Sequence, residues 1–320
     1  MKNSISLVLP VYNESGNLNL LHERISSVLS QLSGFRARLL FVNDGSSDDS
    51  LEVLKNIAQK DPRVEILNLS KNYGHQIAVI AGLDASNEDV TVIMDTDLQD
   101  PPELILEMVK KWEDGADVVY AQRRSRQDGF FKKQTAKMYY RTLNKLSAIE
   151  IPKDTGDFRL MDKAVVSELQ KYREHNPYIR GIVSNIGFRQ EAILFDRDAR
   201  FSGKSGYTFS KMLKLAFDGI MSFSVVPLKI ISVSGVVLSV GSILLGLYFL
   251  IMKFISPSMS VQGWTYIVVG MLFLGGVQLV MLGVIGSYVG RTYIESLGRP
   301  LYSLRGIERE KRGRGSLQNK

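Results

Sequence analysis

Short apolar runs alternate with amphipathic stretches through roughly the first 120 residues of this chain. The apolar runs at residues 6–11, 38–42, 64–69, 90–94 and 118–121 have the length of strands, and helical patterns lie between them at 17–32, 50–59, 76–85 and 103–112. Strands and helices in alternation predict an α/β fold with a mostly parallel sheet. Over 130–195 the pattern is less regular, with helices expected near 132–146 and 163–170. The opening run at 5–11 is short and interrupted by Pro10, so it reads as a strand and not as a signal peptide.

The character of the chain then changes. No charged residue occurs between Ile230 and Met252, nor between Phe254 and Gly290. About 20 apolar residues are enough to cross a bilayer core, so two transmembrane helices are expected at about 229–253 and 264–290. Pro257 breaks the short connection at 256–262, which makes the helices an antiparallel hairpin with both chain ends on one side. Gly270, Gly275, Gly276, Gly283, Gly286 and Gly290 would let the helices approach closely, with contacts in a homo-oligomer as the alternative use. Ahead of the hairpin, residues 207–226 mix Lys211 and Lys214 with Met212, Leu213, Leu215, Phe217, Ile220 and Phe223. That mixture predicts an amphipathic helix lying in the membrane interface, against the competing reading of a helix packed in the core. The expected organisation is an α/β domain at 1–206, a juxtamembrane helix at 207–227, a two-helix hairpin at 228–290 and a basic tail at 291–320.

Charge agrees with that division. The net charge is +7, yet residues 1–228 carry 30 Lys+Arg and 30 Asp+Glu. The surplus lies in Lys229, Lys253 and the tail, with Arg299, Arg305, Arg309, Lys311, Arg312 and Arg314 among its residues. A basic segment beside a membrane span is expected on the cytoplasmic side, near anionic head groups. Nucleic acid is disfavoured as a partner, because the α/β part has no excess positive charge to offer phosphates. The chain has no cysteine, which excludes disulfides, thiolate catalysis and cysteine-ligated metals.

The polar residues that stand out follow the strands. Asp95-Thr96-Asp97 comes directly after the fourth apolar run. Two carboxylates one residue apart at a strand end can both reach one hard divalent cation, Mg²⁺ or Mn²⁺, which would neutralise a departing diphosphate. Tyr12-Asn13-Glu14 ends the first run and Asn43-Asp44-Gly45-Ser46 the second. Their amide and carboxylate groups are able to hold a ribose or a base edge, and a turn leading to a helix cap at Ser46 or Asp48 is the plainer role. Ligands of open parallel sheets bind at the carboxyl ends of strands, so these residues are expected to share one site. His22, His75 and His175 show no ligand spacing and read as surface or packing residues, although the run from Lys71 to His75 offers His75 a place near the site.

Together, Pro10 to Glu14, Asn43 to Ser46 and Asp95 to Gln99 resemble the signature of family 2 inverting glycosyltransferases, whose nucleotide-sugar-binding fold is called GT-A. The strings 96–103 (Thr-Asp-Leu-Gln-Asp-Pro-Pro-Glu) and 155–161 (Thr-Gly-Asp-Phe-Arg-Leu-Met), with the terminal hairpin, resemble the dolichyl-phosphate-mannose-synthase-like branch, nearest to bacterial bactoprenol (undecaprenyl-phosphate) glucosyltransferases. The resemblance implies transfer of a hexose, glucose from UDP-glucose first and GDP-mannose, a UDP-N-acetylhexosamine or a UDP-aminopentose as alternative donors, to a polyprenyl phosphate with inversion, on the cytoplasmic face of the bacterial inner membrane. It implies that Asp95 contacts nucleotide and metal, that Asp97 and Gln99 are metal ligands, and that Pro10, Tyr12, Glu14 and Asp44 frame base and ribose. Arg123 and Lys137 match positions expected to bind donor or acceptor phosphate, and Asp157 sits in the segment that approaches the sugar. Arg200 and the 203–207 loop would cover the donor diphosphate. There the chain departs from the common pattern: Gly206 stands where a lysine often precedes the aromatic residue, here Tyr207, and Lys204 is the nearest replacement for that charge.

The chemistry is consistent with this set. A phosphate monoester has its second pKa near ~6 and is largely dianionic at neutral pH, so it needs alignment and cations more than a general base. A processive polysaccharide synthase would be expected to carry a Gln-x-x-Arg-Trp motif and further spans, and neither is present. A lipid-handling module without catalysis is disfavoured because Gln278 is the notable polar side chain of the spans. No Gly-x-Gly-x-x-Gly follows the first strand, which disfavours a nicotinamide enzyme.

Overall fold

The computed structural model describes residues 3–124, 155–195, 226–255 and 264–308. Within them the chain divides into two compact units, one holding the sheet and its helices and the other the two long C-terminal helices.

The first unit begins as the alternation predicts: β1 (Asn3–Val11), α1 (Leu18–Gln31), β2 (Phe35–Asn43), α2 (Ser50–Lys60), β3 (Val64–Leu69), α3 (His75–Asp84), β4 (Val90–Ile93), α4 (Leu104–Glu113) and β5 (Val118–Arg123). It continues with β6 (Thr155–Asp162), α5 (Lys163–Leu169), α6 (Ile179–Ile186) and β7 (Gln190–Phe195), and ends with β8 (Leu304–Glu308). The strands form one eight-stranded sheet in the order β7-β5-β6-β4-β1-β2-β3-β8. Parallel pairing joins β4, β1, β2 and β3, and also β5 and β7, while β6 and β8 run antiparallel to their neighbours.

Period-2 alternation distributes the core over both faces of the sheet. Leu7, Leu9, Leu39, Phe41, Ile66 and Val92 meet α1, α2 and α4 on one side. Val8, Leu40, Val42, Leu67 and Ile93 meet α3, α5 and α6 on the other. These side chains are essentially sealed from water, which stabilises the fold by roughly 1.5–3 kcal/mol for each large one. Helix α3 is buried from Ile77 to Leu83, and its close approach depends on Gly82, where a Cβ would lie 2.3 Å from Val8 Cγ1.

Three strands were not distinguished by the apolar pattern. In β6 the polar residues Thr155, Asp157 and Arg159 are themselves buried, so the usual inside–outside contrast is missing. β8 lies in the segment expected as part of a basic tail. Its residues instead pair with β3, Leu67 opposite Ile307 and Asn68 opposite Gly306. Tyr302, just before it, packs against the second core cluster and donates to Asp84 Oδ2 at 2.9 Å.

The second unit contains α7 (Val226–Ile255) and α8 (Trp264–Ser296). Both are long and apolar enough to cross a membrane, with mean hydropathy 2.1 over 226–245 and 1.7 over 273–296. Ile230, Val233, Leu244, Phe273 and Leu279 expose their side chains, an arrangement suited to lipid and costly in water. Among the described residues, a Cβ at any of the six α8 glycines would meet no atom within 4 Å. The expected helices at 132–146 and 207–226 lie outside the described residues.

Candidate active site

The loops leaving β1, β2, β3 and β4 border one cleft of about 250 Å³ at the carboxyl ends of the parallel strands. Six of the residues expected from sequence line it: Pro10, Tyr12, Glu14, Asp44, Asp95 and Asp97. Asn72, Gly74 and His75 from the third loop line it as well.

Short polar side chains stitch these loops together. Asn13 takes the left-handed conformation (φ 56°), and its Oδ1 accepts from Ser47 N at 2.8 Å. Thr96 Oγ1 donates to the Pro10 carbonyl at 3.0 Å, tying the β4 loop to the end of β1. Asp48 Oδ1 accepts from Ser50 N at 3.1 Å just ahead of α2, but the N-cap of that helix is Asp49, not Ser46 or Asp48. Glu14 Oε2 accepts from Asn17 Nδ2 at 2.6 Å, and Tyr12 keeps about half of its surface open. The Asp44 carboxylate is buried and accepts from the backbone N–H groups of Tyr73 at 2.7 Å and Gly74 at 2.9 Å. Burial raises its pKa, and those two hydrogen bonds partly offset the rise.

Acidic groups converge on the floor. Asp95 has its pKa raised by burial first, with the nearby charges of Asp157 and Asp97 adding to the effect and His75 opposing it. Its Oδ1 is sealed from solvent and receives no hydrogen bond. His75 Nε2 stands 3.5 Å from that oxygen. Asp157 behaves in the opposite way. Although burial alone would raise its pKa, hydrogen bonds from His75 and Arg180 and the charges of Arg180 and Arg159 hold it far below the usual carboxylate range. Burial also favours neutral His75, but its bond to Asp157 and the two carboxylate charges outweigh that and raise its pKa.

Asp97 Oδ1 accepts from Gln99 N at 3.1 Å, which shapes the loop around Leu98, itself at φ 60°. Gln99 is buried and is not among the residues lining the cleft. Arg123 closes β5, opposite Phe195 of β7. Lys137, Arg200, Lys204 and the 203–207 loop lie outside the described residues. His75, read from sequence mainly as a surface or packing residue, is instead a wall of the cleft, and Gln76 and Arg180 join it around Asp157. His75 follows the third strand, and that position was the usable signal for it. Arg180 lies in the first turn of a short helix without a motif and carries no such signal.

A divalent cation fits this floor. Among the described residues no three acidic or histidine side chains converge as a complete cage. Mg²⁺ typically takes only one or two carboxylates from the protein and completes its shell with water and substrate phosphates. The pair Asp95 and Asp97 matches that demand, and the buried, donor-less Asp95 Oδ1 is an atom whose charge a cation would compensate.

Comparison with known proteins agrees with this geometry. The model of the family "Glycosyl transferase family 2" matches residues 6–170. An uncharacterized glycosyltransferase of Bacillus subtilis (strain 168), YkcC, is 46% identical over 96% of this chain and 95% of its own length. The bactoprenol glucosyl transferase of Shigella phage SfV is 37% identical over 94% of this chain and 98% of its own. A solved structure titled "Crystal Structure of a Mycobacterial Protein" aligns with TM-score 0.50 and 17% identity over 68% of this chain and 73% of that one, a likeness of fold alone. The α/β unit is of the GT-A type, and the chain is an enzyme belonging to glycosyl transferase family 2.

Proposed function

We propose that the enzyme transfers glucose from UDP-glucose to a polyprenyl phosphate, with inversion at the anomeric carbon and with Mg²⁺ or Mn²⁺ at Asp95 and Asp97. The observation that carries this reading is the carboxylate-floored cleft at the strand ends, in a chain similar over nearly its whole length to a phage bactoprenol glucosyl transferase. Pro10, Tyr12, Glu14 and Asp44 frame the base and ribose of the donor. The cation neutralises the leaving diphosphate. Arg123, Lys137, Arg200 and Lys204 are assigned to donor and acceptor phosphates, and Gln99 remains a candidate third ligand through the loop it shares with Asp97.

The acceptor needs no strong base, because a phosphate monoester is already largely dianionic at neutral pH. The surroundings of Asp157 support that view. His75 Nε2 and Gln76 Nε2 donate to its Oδ2 at 3.1 and 3.0 Å, and Arg180 Nε donates to its Oδ1 at 2.7 Å. A carboxylate so engaged orients its neighbours and does not collect a proton.

Helices α7 and α8 are assigned as a membrane hairpin, with residues 207–227 as an interfacial helix before it. The position of β8 supports an even number of crossings: the strand that follows α8 pairs with β3, so the chain returns to the side it left. The basic surplus after residue 228 assigns that side to the cytoplasm. Incubating the full chain with a panel of nucleotide-sugars and undecaprenyl phosphate, then weighing the lipid, tests the reading. A mass gain of one hexose with UDP-glucose is expected; absence of any glycosylated lipid across the panel refutes it.

A further inference from the structure

Three elements bring polar side chains together beneath the cleft. α3 contributes His75 and Gln76 at its start, β6 contributes Asp157, and α6 contributes Arg180 in its first turn. Asp157 is only 3% exposed, so its charge requires compensation from inside the protein. Arg180 supplies much of it: Nε donates to Asp157 Oδ1 at 2.7 Å, and Nη1 donates to the Thr155 carbonyl at 2.9 Å. The second contact fixes the guanidinium relative to the strand that carries Asp157. Gln76 closes the frame, donating to Asp157 Oδ2 while its Oε1 accepts from Ile179 N at 3.1 Å.

With Oδ1 occupied by Arg180, Oδ2 is shared between Gln76 and the imidazole of His75. His75 Nε2 stands 3.1 Å from Asp157 Oδ2 and 3.5 Å from Asp95 Oδ1. One ring nitrogen therefore faces both carboxylates, and its distance from Asp95 depends on how firmly Asp157 is held. That Asp95 oxygen is buried and, among the described residues, receives no hydrogen bond, so the approach of His75 bears directly on its surroundings.

We propose that Arg180 is a positioning residue for the cation site: through Asp157 and His75 it sets the orientation in which Asp95 meets a divalent metal. This rests on the reading of Asp95 as a metal ligand. Groups that orient ligands from behind are worth about 10–100-fold in metal affinity when removed, whereas the base and ribose contacts lie on other loops. Loss of Arg180 weakens Mn²⁺ binding while sparing metal-independent binding of the nucleotide.

The test uses the full chain in detergent, with Mn²⁺ followed by its electron paramagnetic resonance in the presence of UDP, and UDP alone followed by calorimetry in chelator. The wild type is measured first. If it takes up no Mn²⁺, the metal reading itself fails, and this proposal with it. Arg180→Met is expected to weaken Mn²⁺ binding by about tenfold or more, to leave metal-free UDP affinity within twofold, and to be largely rescued by Arg180→Lys. His75→Asn breaks the same chain at its other end and is expected to weaken Mn²⁺ binding by a similar factor, whether or not Arg180→Met folds. Wild-type Mn²⁺ affinity in His75→Asn overturns the proposal. So does an equal loss of metal-free UDP binding in Arg180→Met, which would assign Arg180 to the fold in general.

Discussion

Gly45 passes so close to Lys71 that a Cβ on the glycine would lie 2.5 Å from the lysine's carbonyl carbon and 2.6 Å from the amide nitrogen of Asn72. The backbone there has φ +64°, which L side chains rarely adopt. The contact joins the β2 loop, with Asp44, to the β3 loop, which lines the cleft with Asn72, Gly74 and His75. Gly45→Ala must therefore move backbone, and the first bonds at risk are those from Tyr73 N and Gly74 N to Asp44. Strain of about 1–3 kcal/mol is expected from the conformation alone. UDP affinity measured by calorimetry should fall about tenfold or more, each 1.4 kcal/mol being a factor of ten. Unchanged affinity would show that the two loops bind the nucleotide independently.

The carboxylate pair gives a sharper test. Asp97→Asn keeps the size of the side chain and an oxygen able to accept from Gln99 N, so the loop should survive. It removes the charge a hard cation requires. Turnover is expected to fall by two orders of magnitude or more, about 2.7 kcal/mol or more of transition-state stabilisation, with the circular dichroism spectrum unchanged. Excess chelator should abolish wild-type turnover and Mg²⁺ or Mn²⁺ restore it. Full activity in chelator would remove the metal from the mechanism.

Much of this site was legible before any coordinates. The strands β1 to β5 and the helices between them follow directly from hydrophobic alternation, and the polar residues at their ends could be assigned to one cleft because a parallel sheet gathers its loops there. The elements that the pattern does not reveal have physical reasons for it. Asp157 and Arg159 are buried polar residues within β6, so that strand does not alternate as a strand should. β8 is five residues long and includes Arg305 and Glu308, and it reads as a tail until β3 supplies its partner. His75 and Arg180 are far apart in sequence and gain meaning only because β6 carries Asp157 between them.

The hairpin makes a topological prediction. The chain contains no cysteine, so a single cysteine reports its own side of the membrane without background. In intact cells, cysteine at Ser258, in the connection between α7 and α8, should react with an impermeant reagent from outside. Cysteine at Ser303, which precedes β8, should react only after lysis. Labelling of Ser258→Cys only from the cytoplasmic side would show that the helices do not cross as a pair.

The acceptor joins architecture to chemistry in the last prediction. A polyprenyl phosphate keeps its tail in the bilayer and offers its phosphate at the surface, so the cleft must be held within reach of that surface. The segment assigned to this task is 207–226, which precedes α7 and carries Phe217 and Phe223 among its apolar residues. It lies outside the described residues, and the argument for it comes from its pattern of Lys211 and Lys214 against those apolar positions. Replacing both Phe217 and Phe223 by Asp puts two charges on a face that would meet lipid, at a cost of roughly a few kcal/mol. The double variant is expected to lose transfer to undecaprenyl phosphate in membranes while binding UDP with wild-type affinity, because Tyr12, Asp44 and the β3 loop belong to the α/β unit. Wild-type transfer would show that this segment does not dock the acceptor. Loss of UDP binding together with transfer would identify it instead as a helix packed into the core of the α/β unit.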